Sequence, residues 1–150
     1  MGKLDKLDFL ILEYFQQDGK CTYSQIARKL GVSEGTVRKR ATKMRKDGVF
    51  DFMIRINPLK VGYSVKVFIG IHSQLGKQHE IGQWLKTFPQ VIYIASYSGY
   101  HDLILQAYFE NNEALVHFVN TELTPENGIE GIDVSIQLKQ YKDSISYLLS

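Results

Sequence analysis

The chain has 150 residues, of which 44% are hydrophobic, enough to build one ordinary domain or two small ones and to exclude disorder throughout. Its net charge of +2 hides a division: residues 1–60 carry thirteen Lys/Arg against seven Asp/Glu, and residues 61–150 carry five against nine. A basic part followed by an acidic part points to one module facing a polyanion and another with a different task; the alternative is a surface distribution without meaning. The single cysteine, Cys21, excludes an internal disulfide, a zinc ribbon and a CxxC redox pair, and fits a reducing, cytoplasmic setting. The first apolar run is broken by Asp5, Asp8 and Glu13, so neither a signal peptide nor a membrane span is expected. The "MG" opening lacks the Ser or Thr that a myristoylation signal needs at its sixth position.

Asp5 is a candidate cap for a first helix, in which Leu7, Ile11 and Tyr14 or Phe15 recur at helical spacing until Asp18-Gly19. Thr22 and Gln25 read as a capping box, and Ile26, Ala27 and Leu30 give a short second helix ending at Gly31. Ser33 caps a third, whose apolar Val37, Ala41 and Met44 follow the i, i+4, i+7 pattern before Asp47-Gly48 stops it. The next stretch, "VFDFMIRIN" (49–57), is rich in branched and aromatic residues and predicts a strand or hairpin arm closed by Pro58.

Residues 1–57 thus form one domain, 58–62 a linker and 63–150 a second domain. The second domain reads strand 63–73, helix 77–87, strand 91–98, strand 103–109, helix 112–123 and strand 131–141. This βαββαβ order folds as a four-stranded antiparallel sheet with both helices on one face, a ferredoxin-like sandwich, and the whole chain is α+β. In the last strand Ile132, Val134, Ile136 and Leu138 alternate with Asp133, Ser135, Gln137 and Lys139. "VIYIA" and "LILQAYF" are apolar or aromatic on both sides, as expected if a second copy of the chain covers the helix-free face.

A short helix, the three-residue turn "GVS" and a longer helix have helix-turn-helix spacing, with the second helix available for a DNA major groove. At intervals of about 100° from Val37, the residues Gly35, Thr36, Lys39, Thr42, Lys43 and Lys46 point away from the apolar edge. Gly35 and Thr36, behind the capping Ser33, let the backbone approach a duplex, and the positive helix end favours phosphate. Thr36 and Lys39 are candidates for base edges, while Arg38 flanks the stripe and reaches either a base or a phosphate. Lys43, Arg45 and Lys46 are candidate phosphate contacts, which orient the protein and make binding salt-dependent. Arg40 lies nearer the core edge, where its head can pair with an acid or with the backbone.

"LDKLDFLIL", "YSQIARKLGVSEGTVRKRATKMRKDGV" and "SGYHDL" resemble the Lrp/AsnC family, the feast/famine regulators of bacteria and archaea, over nearly the whole chain. The family's first-helix pattern is met by Leu4-Asp5, Asp8 and Ile11-Leu12, its recognition helix by Ser33, Arg40 and Gly48-Val49, and its hairpin by Gly99 and Asp102. The resemblance implies an N-terminal winged-type helix-turn-helix that binds double-stranded DNA. It also implies a second, ligand-sensing module that forms homodimers and often octamers. The implied effector is an amino acid bound between dimers near the hairpin of the second and third strands, so Gly99, Tyr100 and Asp102 are its candidate contacts. Glycine frees backbone N–H groups for an α-carboxylate and Asp102 can receive an α-ammonium, although "SGYHD" also serves as ordinary turn chemistry. Tyr100-His101 stands where the family usually has acidic or small residues, a difference that bears on which ligand fits.

His72, His79, His101 and His117 form no HxxxH pair and have no cysteine in support, so neither a metal site nor a cofactor is expected, and they read as surface or strand-edge residues. Trp84 beside Ile81, Leu85 and Phe88 reads as core packing. There is no nucleophile elbow, phosphate-cradling glycine loop or paired-carboxylate motif, which argues against an enzyme. Siroheme decarboxylases resemble this family in their two modules and remain the enzymatic alternative; the cationic stripe favours a regulator.

Overall fold

The computed structural model describes residues 3–143, which fall into two compact units: the chain up to Arg55 joined by Asp143, and Ile56–Lys142. The first unit contains α1 (Lys6–Gln17), α2 (Tyr23–Leu30) and α3 (Glu34–Lys46). Asp5 opens α1 with a reciprocal capping box, its side chain accepting from the Asp8 N–H while the Asp8 side chain accepts from its own. Thr22 and Gln25 do the same for α2, and Ser33 caps α3 by accepting from the Thr36 N–H. Such caps satisfy backbone donors that a helix start otherwise leaves without partners. Ile11, Phe15, Ile26, Ala27, Val37, Ala41 and Met44 form the buried core.

Arg40 fixes α3 to the start of α1. Its Nη1 donates to Asp5 Oδ2 at 2.6 Å and to Asp8 Oδ1 at 2.9 Å, so the two carboxylates that cap α1 also receive the guanidinium. The hydrogen bond from Arg40 holds the Asp5 carboxyl below the usual carboxylate range.

Residues 51–57 contain no strand, which corrects the expectation for "VFDFMIRIN". A strand needs a neighbouring ladder, and the described chain offers this segment none. Its aromatic residues pack instead: Phe50 stacks on Phe15 with centroids 5.5 Å apart, and Phe52 meets Phe15 edge-on at 5.2 Å. The expected linker holds a short 3-10 helix, Pro58–Val61, capped by Asn57. Arg55 donates to the Asp143 carboxylate, and Asp143 groups with the first unit.

The second unit contains β1 (Val65–Ser73), α4 (Gln78–Leu85), β2 (Val91–Ser96), β3 (Leu103–Phe109), α5 (Asn112–Glu122) and β4 (Ile129–Ile136). The sheet is antiparallel in the order β2-β3-β1-β4. Val65, Val67, Ile69 and Ile71 pair with Phe109, Ala107, Leu105 and Leu103, and all eight side chains enter one core with Ile81 and Leu85 of α4 and Leu115 and Phe118 of α5. Both helices therefore lie on one sheet face. The other carries Phe68, Gly70 and His72 of β1, Ile104, Gln106 and Tyr108 of β3, and Asp133 and Ser135 of β4. The last strand starts earlier and stops earlier than its alternation predicts. β1 begins at Val65, so pairing ends with Val67 opposite Ile136 and a bond from Gln137 N to Lys66 O, and Leu138 is left exposed.

Asp5→Asn keeps a good cap and removes the ion pair with Arg40. Because the folded Asp5 carboxyl titrates below its ordinary value of 3.8, its stabilisation is complete above that pH and is lost as pH falls through the folded value. Denaturant unfolding of the wild type and Asp5→Asn is expected to show a gap near neutral pH that closes as pH drops below 3.8.

Candidate nucleic-acid interface and effector loop

The turn between α2 and α3 is set by Gly31, whose φ of 66° is left-handed, and by Val32, which packs on the core and donates its N–H to Ala27 O at 3.1 Å. Ser33 then starts α3 in a fixed direction, with its hydroxyl 2.8 Å from that of Thr36. Val37, Ala41 and Met44 are buried, while Gly35, Arg38, Lys39, Thr42, Lys43, Arg45 and Lys46 are exposed and Thr36 is half-buried. The fold thus turns the cationic side of α3 to solvent.

The exposed cations are not equivalent. Arg38 pairs with Glu34 and lies over the Tyr23 ring, Lys43 pairs with Asp47, and Arg45 pairs with Asp51 while lying over Phe52. The hydrogen bond from Lys43 lowers the Asp47 carboxyl pKa, and the Phe52 backbone N–H, followed by Arg45, lowers that of Asp51. Lys39 and Lys46 make no ion pair among the described residues. Exposed pairs are weak in water, and a phosphate can replace any of the three acids.

Gly99 sits at φ 151° in the β2–β3 loop, and Tyr100 is 80% exposed. Asp102 is bound into the fold: its backbone N–H donates to Ile71 O at 2.9 Å, and its Oδ2 accepts from Ser73 N at 2.8 Å and Ser73 Oγ at 3.1 Å. Those two bonds, the backbone one first, depress its pKa. Its carbonyl also accepts from Gln78 Nε2 at 2.7 Å, so Asp102 joins the loop to both β1 and α4. A separate open cleft of about 310 Å³ lies between α4 and the turn at Pro125–Asn127, lined by Lys77, Glu80, Trp84 and Asn127 among others; none of the three candidate effector contacts lines it.

Residues 4–50 match the winged helix-turn-helix DNA-binding family, and residues 66–147 match the Lrp/AsnC ligand binding domain. The chain belongs to the Lrp/AsnC family. An uncharacterized HTH-type transcriptional regulator of Pyrococcus furiosus is 37% identical, covering 89% of this chain and 90% of its own. The HTH-type transcriptional regulator LrpA of Pyrococcus horikoshii is 31% identical, covering 93% and 99%. Among solved structures, Escherichia coli AsnC superposes with a TM-score of 0.89 at 24% identity, covering 95% of this chain and 97% of its own, and shows the shared fold. A Neisseria meningitidis transcriptional regulator solved as an L-Met complex superposes at 0.86, also at 24% identity, covering 96% of each chain. This Lrp/AsnC protein is a DNA-binding transcriptional regulator with a ligand-binding second domain. Among its described residues no helix is long and apolar enough to cross a membrane.

One cluster in this Lrp/AsnC chain is not legible in its sequence. His79 and His117 are exposed, but His72 and His101 meet beside Asp133 on the helix-free face. His101 Nε2 lies 2.7 Å from Asp133 Oδ2, and its hydrogen bond holds that carboxyl below the usual range. The alternation of Gly70 and His72 along β1 is visible in residue order; the strand register that sets Asp133 opposite Gly70 is not.

Gly35 has no internal reason to be glycine, since a Cβ there would meet only Ser33 Oγ at 3.8 Å. Gly35→Ala is expected to stabilise the first unit by up to about 1 kcal/mol and to weaken binding to duplex DNA. Thermal melts and DNA titrations check both; a stabilised variant with unchanged affinity removes close backbone approach as the reason for this residue.

Proposed function

We propose that this regulator reads specific duplex sequences with α3 in the major groove and responds to an amino acid through assembly of its second domain. The observation that carries the DNA half is the disposition of α3: Val37, Ala41 and Met44 hold it down, and Lys39 and Lys46 stand on the open side with no ion pair among the described residues. Ser33, Gly35 and Thr36 admit the backbone to the groove, Thr36 and Lys39 face bases, Arg38 reaches a base or a phosphate, and Lys43, Arg45 and Lys46 meet phosphates. Two chains of a dimer present two such helices to successive half-sites. Phe68 and Tyr93, each more than 40% exposed on strands of the second unit, support pairing of copies through its sheet.

For the effector, support comes from the match to a ligand binding domain and from the Neisseria relative's complex with L-Met. Gly99 and Tyr100 are exposed in the loop, and the Asp102 carboxylate keeps Oδ1 without a hydrogen bond among the described residues. An α-ammonium at Oδ1 and an α-carboxylate at the loop N–H groups fit this arrangement. Binding that favours one assembly shifts the population of DNA-competent oligomers.

Titrations of duplex DNA across a salt series test the first half. Lys39→Ala with Lys46→Ala is expected to lower affinity and to flatten the dependence of log K on log salt by roughly 0.9 for each phosphate the variant no longer neutralises. Unchanged affinity and slope would sink the assignment of α3. Calorimetry against the standard amino acids tests the second half: one of them is expected to bind, more weakly to Asp102→Asn. Absence of heat with every one removes the sensing proposal and leaves DNA binding standing.

A further inference from the structure

The helix-free face of the second unit gathers three metal-ligating side chains that lie far apart in sequence. Donor atoms of His72, His101 and Asp133 all lie within 4.8 Å of one another. Both imidazoles address the same carboxylate oxygen, His101 Nε2 at 2.7 Å and His72 Nε2 at 3.7 Å from Asp133 Oδ2. The ring centroids are 4.9 Å apart and tilted by 40°, an arrangement that converges on the oxygen without stacking.

The sheet is shaped to receive this convergence. β1 pairs with β4 so that Gly70 stands opposite Asp133 and His72 opposite Gly131. His101 leaves the β2–β3 loop and lays its ring over Gly70, where an added Cβ would come within 2.4 Å of its Nε2. Any other residue at position 70 would force the ring to shift. Tyr100 meets His72 and His101 edge-on at 4.8 and 4.9 Å and shields one side of the pair.

A His101–Asp133 hydrogen bond by itself accounts for His101; it does not explain why His72 aims at the same oxygen from beyond hydrogen-bond range. A cation does. Four-coordinate zinc holds its nitrogen and oxygen ligands at about 2.0–2.2 Å, which sets donors roughly 3.3 Å apart. The separations of 2.7 and 3.7 Å bracket that value, so small side-chain rotations open the space for an ion. Two imidazoles and one carboxylate suit zinc, cobalt or nickel better than magnesium or calcium, which prefer oxygen alone. We propose that His72, His101 and Asp133 bind one divalent transition-metal ion per chain, leaving at least one coordination position to water or to a small chelating group.

Calorimetry of the untagged, metal-stripped full chain with Zn²⁺, and visible absorption with Co²⁺ as a spectroscopic probe, test this. One ion per chain is expected, counted per chain so that pairing of copies does not alter it. His72→Ala and His101→Ala should each lower affinity by roughly 100-fold or more, since even loss of an outer-sphere partner commonly costs 10–100-fold. Gly70→Ala, which displaces the His101 ring without removing a donor, should also weaken binding, whereas His79→Ala and His117→Ala should not. Circular dichroism establishes that each variant is folded. Absence of binding by the wild type, or full binding by both folded His72→Ala and His101→Ala, overturns the proposal.

Discussion

Burial of Val37, Ala41 and Met44 determines most of what the first unit can do. With one edge of α3 committed to Ile11, Phe15 and Ile26, the helix cannot rotate without exposing apolar surface, so its opposite side is presented in one orientation. Arg40 adds a polar fastening at the margin, since its guanidinium reaches the same two carboxylates that start α1. The geometry of the cap and the setting of the recognition helix are thereby linked. A basic residue inside a cationic stretch serves as scaffold, and the five around it keep their heads in solvent.

That outward surface is partly neutralised by acids of the same unit. Glu34, Asp47 and Asp51 occupy Arg38, Lys43 and Arg45 and leave Lys39 and Lys46 without an ion pair among the described residues. Counter-charges of this kind lower the general attraction to any polyanion, while a well-placed phosphate, whose oxygens accept charge-assisted bonds, exchanges readily with an exposed acid.

The second unit obeys the same division of faces with a period of two. Val65, Val67, Ile69 and Ile71 face the helices, which forces Lys66, Phe68, Gly70 and His72 to the other side. Gly70 is the gap in that row, and His101 fills it, so the β2–β3 loop is drawn over the sheet while Asp102 ties its far end to Ser73. The loop expected to meet an effector is thus held from two directions, and Tyr100 is its exposed tip.

Helix starts, the turn at Gly31, the buried edges of α1 to α3 and the order of strands and helices in the second unit were all legible in the sequence. These features depend on interactions three or four residues apart or on a strict two-residue alternation, and both leave a direct trace in residue order. The aromatic residues of 49–57 misled because branched and aromatic side chains suit a core as well as a strand, and only a neighbouring ladder distinguishes the two. The true ends of β4 followed from the length of β1. Arg40 meets Asp5 across 35 positions, and His101 meets Asp133 across 32. Residue order proposes candidates for such pairs, but closing long loops and choosing one strand register are acts of the whole fold, so tertiary structure alone decided which groups meet.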